Sequence, residues 1–156
     1  MPKTALFPGS FDPFTLGHED IVRRALPLFD GLYIGIGENQ DKRYQYTLEE
    51  RMAMVQALYA NEPKIQVVSY SGLTVHFAHT LGVQFLLRGI RNPSDFEFEK
   101  SIAQANRQMV PDLDTVFLLT TARYAYISSS IVRDVIRHGG DASVFLPDGL
   151  RLPARP

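Results

Sequence analysis

Five short apolar runs alternate with segments of helical periodicity, and this alternation constrains the fold more than any other feature of the chain. The runs cover residues 4–7, 32–36, 65–70, 83–87 and 115–119. Each suits a strand and is too short for a buried helix. The run at 83–87 has Gln84 as its one polar residue, as expected of a strand covered on both faces. Between the runs, apolar residues recur at three- and four-residue spacing. Ile21, Val22, Ala25, Leu28 and Phe29 form one stripe, with Pro27 disturbing its end; Met52, Val55, Leu58 and Tyr59 form another. Residues 73–81 read as a third helix, stopped by Gly82. Strict alternation of this kind predicts a Rossmann-like, doubly wound parallel five-stranded α/β sheet with right-handed crossovers and helices on both faces.

The helix starts carry their own signals. Thr47-Leu48-Glu49-Glu50 reads as a capping box, and so does Ser94-Asp95-Phe96-Glu97. The helix after the second is expected to run to about residue 108, with Phe98, Ile102, Ala105 and Met109 as its inward stripe. A last main helix opens at Ser128-Ser129-Ser130 and ends near His138, before Gly139-Gly140; residues 143–146 suggest one further turn.

A chain of 156 residues suits one domain, expected over 1–149, with a loosely held tail at 150–156 that holds two prolines and two arginines. Hydrophobic residues make up 45% and charged residues 21%, which excludes a disordered chain. The net charge of −1 gives no reason to expect nucleic acid or an anionic membrane as partner, so any anion site must be a local cluster. No cysteine is present, which excludes disulfides, thiol catalysis and thiolate metal sites and fits a cytoplasmic location. The start shows no signal-peptide core, and no run approaches the roughly 18 apolar residues that span a bilayer.

The first loop, Phe7-Pro8-Gly9-Ser10-Phe11-Asp12-Pro13-Phe14-Thr15-Leu16-Gly17-His18, joins a strand to a helix whose start carries Gly17 and His18. A helix start offers unpaired N–H groups and a positive dipole end, which suit a phosphate. Gly9 and Gly17 would let an anion approach the backbone, and His18 could add a donor. In doubly wound sheets ligands bind where strand order reverses. The usual five-strand order puts strands one and four side by side there, so this loop should meet Arg88-Gly89-Ile90-Arg91. Arginine forks onto phosphate, whereas on an ordinary loop the same pair would be solvated. Lys42 and Arg43 follow strand two on the same sheet edge, and Ser128, Ser129 and Ser130 form another helix start; each also has a plain surface or capping reading. Glu99 shares a helix face with Ile102, Ala103 and Asn106, a face that could border a pocket or water. His76 and His79 suggest no metal, and the dipole accounts for His138. The chain lacks a G-x-x-x-x-G-K-[ST] loop and a G-x-S-x-G elbow, and Gly35-Ile36-Gly37 is followed by Gln40 where a dinucleotide site needs glycine.

Gly9-Ser10-Phe11-Asp12-Pro13 with Gly17-His18, then Arg88-Gly89-Ile90-Arg91, then Ile127-Ser128-Ser129-Ser130 resemble the nucleotidylyltransferase superfamily. With Thr47-Leu48-Glu49-Glu50-Arg51 and Asp95-Phe96-Glu97, the chain is similar to the phosphopantetheine adenylyltransferase family from about residue 3 to 147. The resemblance implies transfer of the adenylyl group of ATP to 4′-phosphopantetheine, giving dephospho-coenzyme A and pyrophosphate, with Mg2+. By that similarity ATP is held by Ser10, Phe11, His18, Gly89, Ile90, Arg91, Glu99, Tyr124, Ala125, Tyr126, Ile127, Ser128, Ser129 and Ser130. Phosphopantetheine is held by Ser10, Lys42, Thr74, Arg88 and Asn106, and His18, Lys42 and Arg91 are the expected catalytic groups. Phe98 and Tyr124 stand where the family often has tyrosine and tryptophan. A homohexamer, with coenzyme A as feedback inhibitor, is a further implication. Three alternatives remain open at this point. A related transferase with nicotinamide mononucleotide or a polyol phosphate as acceptor would carry the same motifs. A non-catalytic nucleotide sensor would bind ATP without turnover. A tRNA-handling fragment would share the Gly-His signature but is at odds with the net charge of −1.

Overall fold

The computed structural model describes residues 1–155. Five parallel strands form one sheet in the order β3-β2-β1-β4-β5, so the first strand is central and strand order reverses beside it. The strands are β1 (Thr4–Gly9), β2 (Gly31–Glu38), β3 (Ile65–Ser71), β4 (Phe85–Ile90) and β5 (Asp114–Leu119). The helices are α1 (Leu16–Ala25), α2 (Leu48–Leu58), α3 (Thr74–Leu81), α4 (Pro93–Met109) and α5 (Ser129–Arg137). Short 3₁₀ turns follow β5 at Ala122–Tyr124 and α5 at Ser143–Phe145.

The alternation of β1 sorts its side chains between two cores. Ala5 and Phe7 face one side, with Ile21, Val22 and Ala25 of α1 and Leu32, Ile34 and Ile36 of β2. Leu6 faces the other, with Val75 and Ala78 of α3, Leu86 and Leu113. A third cluster joins Val132 of α5 to Ile127, Ala142 and Leu146.

Several local expectations shift. The fourth strand runs from Phe85 to Ile90, two residues later at its start and three at its end than expected, and the Gln84 side chain before it meets Thr4: Oε1 accepts from the Thr4 amide at 2.8 Å and its hydroxyl at 3.1 Å. Arg88, Gly89 and Ile90 are therefore strand residues. Helix α1 ends at Ala25, so Leu28 lies beyond it and is exposed, while Phe29 is buried from the following turn. Thr47 and Glu50 make both bonds of the expected capping box. The second capping box is displaced: Asn92 caps α4 with Pro93 at its first turn, and Asp95, not Glu97, occupies the third position. Glu97 pairs with Lys100. The expected inward stripe of α4 faces outward, with Phe98 68% and Met109 47% exposed, and Glu99 is the helix's buried residue. The terminal residues make defined contacts. Leu150 and Leu152 pack on the core, and Arg155 pairs with Glu50 at 2.6 Å. No helix among the described residues is long and apolar enough to cross a membrane.

Between β1 and β2 six residue pairs are in register, but between β1 and β4 only Ala5↔Phe85 and Leu6↔Leu86. Pro8 has no N–H with which to continue that ladder. The Pro8 carbonyl instead accepts from Arg88 Nη1 at 2.7 Å. A cleft opens at this point, where the strand order reverses.

Candidate active site

The cleft holds a cavity of about 280 Å³, walled by the first loop, the end of β4 and the starts of α1 and α5. Gly17, His18, Gly89, Arg91, Ser128 and Ser129 all line it, so loops separated by over a hundred residues meet as the topology requires. A Cβ on Gly9 would lie 2.9 Å from the Phe11 ring, so glycine there lets that ring fold back. At Gly17 a Cβ would meet ordinary contacts only, so its absence simply leaves room in the cavity.

The local structure fixes the chemical state of His18. Thr15 caps α1 and His18 occupies the third helical position. The Thr15 amide donates to His18 Nδ1 at 3.0 Å. Nδ1 is thus the acceptor, and the ring proton sits on Nε2, which takes no partner among the described residues. Phe11, Phe14 and Phe7 surround the ring with centroids 5.0, 5.2 and 6.2 Å away. Burial, and then the positive charges of Arg88 and Arg91, push its pKa down to about 3. His18 is therefore a neutral N–H donor at neutral pH.

Arg88 is gripped on three sides. Glu99 accepts from Nε at 3.0 Å and from Nη2 at 2.7 Å, and Pro8 takes Nη1. A guanidinium has five N–H groups, so two remain for a ligand. Glu99 thus has both oxygens on Arg88. Arg91 donates to Asp95 from its backbone and from Nε, and Nη1 reaches the Ile127 carbonyl at 3.5 Å. At α5 Ser128 accepts from the Ile131 amide, Ser129 donates to the Pro13 carbonyl, and Ser130 accepts from Arg133. The Ser128 and Ser130 hydroxyls thus keep a proton to donate, beside the amides at the start of α5 that have no intrahelical acceptor. Tyr124, Ala125 and Tyr126 flank the cavity without lining it, and Arg123 stacks on Tyr124 at 4.9 Å.

Two further cavities adjoin the first, and Arg88 borders all three. One, about 240 Å³, contains Ser10, Lys42, Tyr70 and Thr74. Here Lys42 Nζ donates to Ser10 Oγ at 2.9 Å, and Tyr70 shares a 2.9 Å hydrogen bond with Thr74. The other, about 150 Å³, places Thr74, Asn106, Ile102 and Ala103 beside Glu99. Ser10, Phe11, His18, Lys42, Thr74, Gly89, Arg91, Glu99, Asn106, Ile127, Ser128 and Ser129 thus line cavities that Arg88 borders, whereas Ile90, Tyr124, Ala125, Tyr126 and Ser130 line none of them. Four supporting residues were missed. Asp12 accepts from the amides of Gln45 and Tyr46. Arg51 is fully buried beneath the first loop. Arg133 donates to the Asp12 carbonyl. Asp20 of α1 accepts from the Thr121 amide after β5. Two of them stand in runs the sequence singled out, Asp12 in Gly9-Ser10-Phe11-Asp12-Pro13 and Arg51 in Thr47-Leu48-Glu49-Glu50-Arg51, but Asp20 and Arg133 have no local signal.

An open parallel sheet whose switch point is walled by two helix starts, two arginines and a neutral histidine defines a nucleotide-handling protein of the nucleotidyltransferase class. The cytidylyltransferase-like family matches residues 6–135. A phosphopantetheine adenylyltransferase of Flavobacterium psychrophilum is 53% identical over 150 residues, covering 96% of this chain and 99% of that protein. Its namesake from Flavobacterium johnsoniae is also 53% identical, over 96% and 98%. That of Porphyromonas gingivalis is 49% identical, over 95% and 96%. The chain belongs to the phosphopantetheine adenylyltransferase family of cytidylyltransferase-like proteins.

Proposed function

We propose that this chain transfers the adenylyl group of ATP to 4′-phosphopantetheine, releasing pyrophosphate and forming dephospho-coenzyme A, a step of coenzyme A biosynthesis. The observation that carries the reading is Arg88, shared between a polyphosphate-sized cavity at two helix starts and the cavity of Lys42 and Ser10. A donor nucleotide and a phosphorylated acceptor could meet across that one side chain.

The nucleophile, a phosphate monoester, is anionic at neutral pH and needs no general base. One of its oxygens attacks the α-phosphorus, the bond to the bridging oxygen of the β-phosphate breaks, and pyrophosphate leaves with that electron pair. Catalysis then lies in bringing two anions together and stabilising the transition state. Lys42 and the free N–H groups of Arg88 orient the attacking phosphate. His18 donates from Nε2 to the α-phosphate oxygens. Arg91 and the amides at the start of α5 receive the departing pyrophosphate. Tyr124, Ala125, Tyr126 and Ile127 edge the adenine side, Phe11 and Gly89 wall the nucleotide cleft, and Ile90 stands buried behind it at the end of β4. Glu99 serves by fixing Arg88, and Thr74 and Asn106 face the pantetheine arm.

Magnesium enters with ATP as part of the substrate. Among the described residues no group of three or more His, Cys, Asp or Glu could hold a metal, and Asp95 and Glu99 are each paired with arginine. Its ligands would come from the phosphate oxygens of ATP and from water. The exposed apolar residues of α4, with Leu119 66% exposed on β5, support contact between copies; the number six comes from the family resemblance alone, and sedimentation tests it directly. The reading also places the protein in the cytoplasm, with coenzyme A competing as feedback inhibitor.

The test is pyrophosphate release from ATP and Mg2+ with 4′-phosphopantetheine, nicotinamide mononucleotide or glycerol 3-phosphate. Release with phosphopantetheine alone is the expected result. Release only with another acceptor would keep the chemistry and cancel the roles of Thr74 and Asn106.

A further inference from the structure

Arg51 of α2 is 0% exposed, yet it touches no ligand cavity. Its charge is spent on backbone carbonyls. Nη1 donates to Ser10 at 2.9 Å and Gly37 at 3.0 Å, and Nε donates to Tyr46 at 3.2 Å. Its guanidinium carbon lies 3.9 Å above the Tyr44 ring, and Lys42 Nζ lies 5.5 Å from the centre of the same ring. Nη2 has no hydrogen-bond partner among the described residues, and the nearest carboxylate, Glu38, is 3.6 Å away and 37% exposed. A buried guanidinium with one idle nitrogen is a poor stabiliser, since an apolar side chain of similar size avoids the desolvation cost. What it does accomplish is geometric. It ties the first loop, which carries Ser10, to the end of β2 and the segment 44–46, which bracket Lys42.

The first loop needs such a tie. Phe11 has φ +49°, a left-handed backbone that a bulky residue adopts only when its surroundings impose it. The carbonyl before it is held by Arg51 and the carbonyl after it by Arg133 at 2.8 Å. The Asp12 carboxylate accepts from the amides of Gln45 at 2.8 Å and Tyr46 at 2.9 Å, closing the same two loops from the opposite side.

We propose that Arg51 is a positioning residue for the acceptor half of the site: by fixing the Ser10 carbonyl and the Tyr44 ring it sets where Lys42 and Ser10 meet the acceptor's phosphate. The inference rests on the function proposed above. Lysine cannot replace it, because a point charge cannot hold two carbonyls and stack on a ring together.

The experiment is steady-state kinetics of wild type, Arg51→Lys, Arg51→Met and Tyr44→Ala, varying ATP and 4′-phosphopantetheine separately, with the folded fraction measured by thermal melting. Displacing Lys42 by about an ångström should raise the phosphopantetheine KM by about 10- to 100-fold in both Arg51 variants. The ATP KM should stay within about threefold. Tyr44→Ala, which keeps every Arg51 hydrogen bond but itself borders the Lys42 cavity and loses the bond from the Asn39 amide, should show the same split at smaller size, and Arg51→Lys carries the test if Arg51→Met does not fold. A fall in kcat that merely tracks the folded fraction, with both KM values unchanged, overturns the proposal. An equal rise in both KM values does so too. A wild type that transfers to none of the acceptors would instead remove the functional reading itself, and the inference with it.

Discussion

His18→Ala separates the two jobs that the capping geometry gives one side chain. The Nε2–H is a single preorganised donor, and removing such a donor costs about 10²–10³ in kcat, or about 2.7–4 kcal/mol. The variant also loses the bond from the Thr15 amide to Nδ1, about 0.5–1.5 kcal/mol of stability. His18→Glu distinguishes the two effects, because glutamate at the third position accepts from the capping residue's amide yet offers no proton. Its melting temperature should lie above that of His18→Ala, while its kcat should be no better. Recovery of turnover in His18→Glu would mean that the cap, not the donor, matters, and would refute the assignment. The pH profile adds a second check. With its pKa near 3, His18 is uncharged through the working range. If protonation were required, activity would fall as pH rises from about 6.5 to 8.5; a neutral donor predicts no such fall. An acid limb near pH 6 belongs to the acceptor phosphate, whose second ionisation lies at about that value, and should persist in His18→Ala.

Other outcomes follow from single contacts. Lys42→Ala should raise the phosphopantetheine KM and leave the ATP KM nearly unchanged, measured by the same release assay. Asn92→Ala removes the α4 cap and should cost about 1 kcal/mol in denaturant unfolding. Burial alone would raise the Asp20 pKa, but hydrogen bonds from Thr121, Arg24 and Arg23 bring it below the ordinary carboxylate range. Its stabilisation is full above the unfolded pKa and is lost as pH falls towards the folded value, so Asp20→Asn should flatten the acid-unfolding curve there. The opposite sign holds for no part of His18: its depressed pKa also makes the fold weaker as pH drops below about 6.5, and His18→Ala should remove that dependence.

The sheet was legible because continuous apolar runs and Gly or Pro breaks are local properties, and the switch point followed from the usual strand order. The α4 cap was misread because Ser94 and Glu97 satisfy the capping pattern, while Pro93 suits the first helical position and leaves Asn92 as the cap. The apolar stripe on that helix was real, but periodicity reports amphipathicity and not what covers it. Arg51 escaped for the reverse reason: a buried arginine counts as polar in any pattern, and its partner Ser10 lies 41 residues away. His18 was read at the start of α1, where it stands, but its tautomer depends on a bond from the Thr15 amide that no spacing rule supplies.

The short ladder between β1 and β4 also orders events in time. Thr4 waits for Gln84, 80 residues further on, before its second edge is covered. At the usual speeds of synthesis that is a delay of about 4–16 s. Ser10 and Lys42, with all of β1, β2 and β3, precede Gln84, whereas Arg88 and Arg91 follow it. The waiting edge carries Pro8, which cannot donate to a foreign strand, so the residue that opens the cleft in the finished enzyme also guards the nascent one against mispairing.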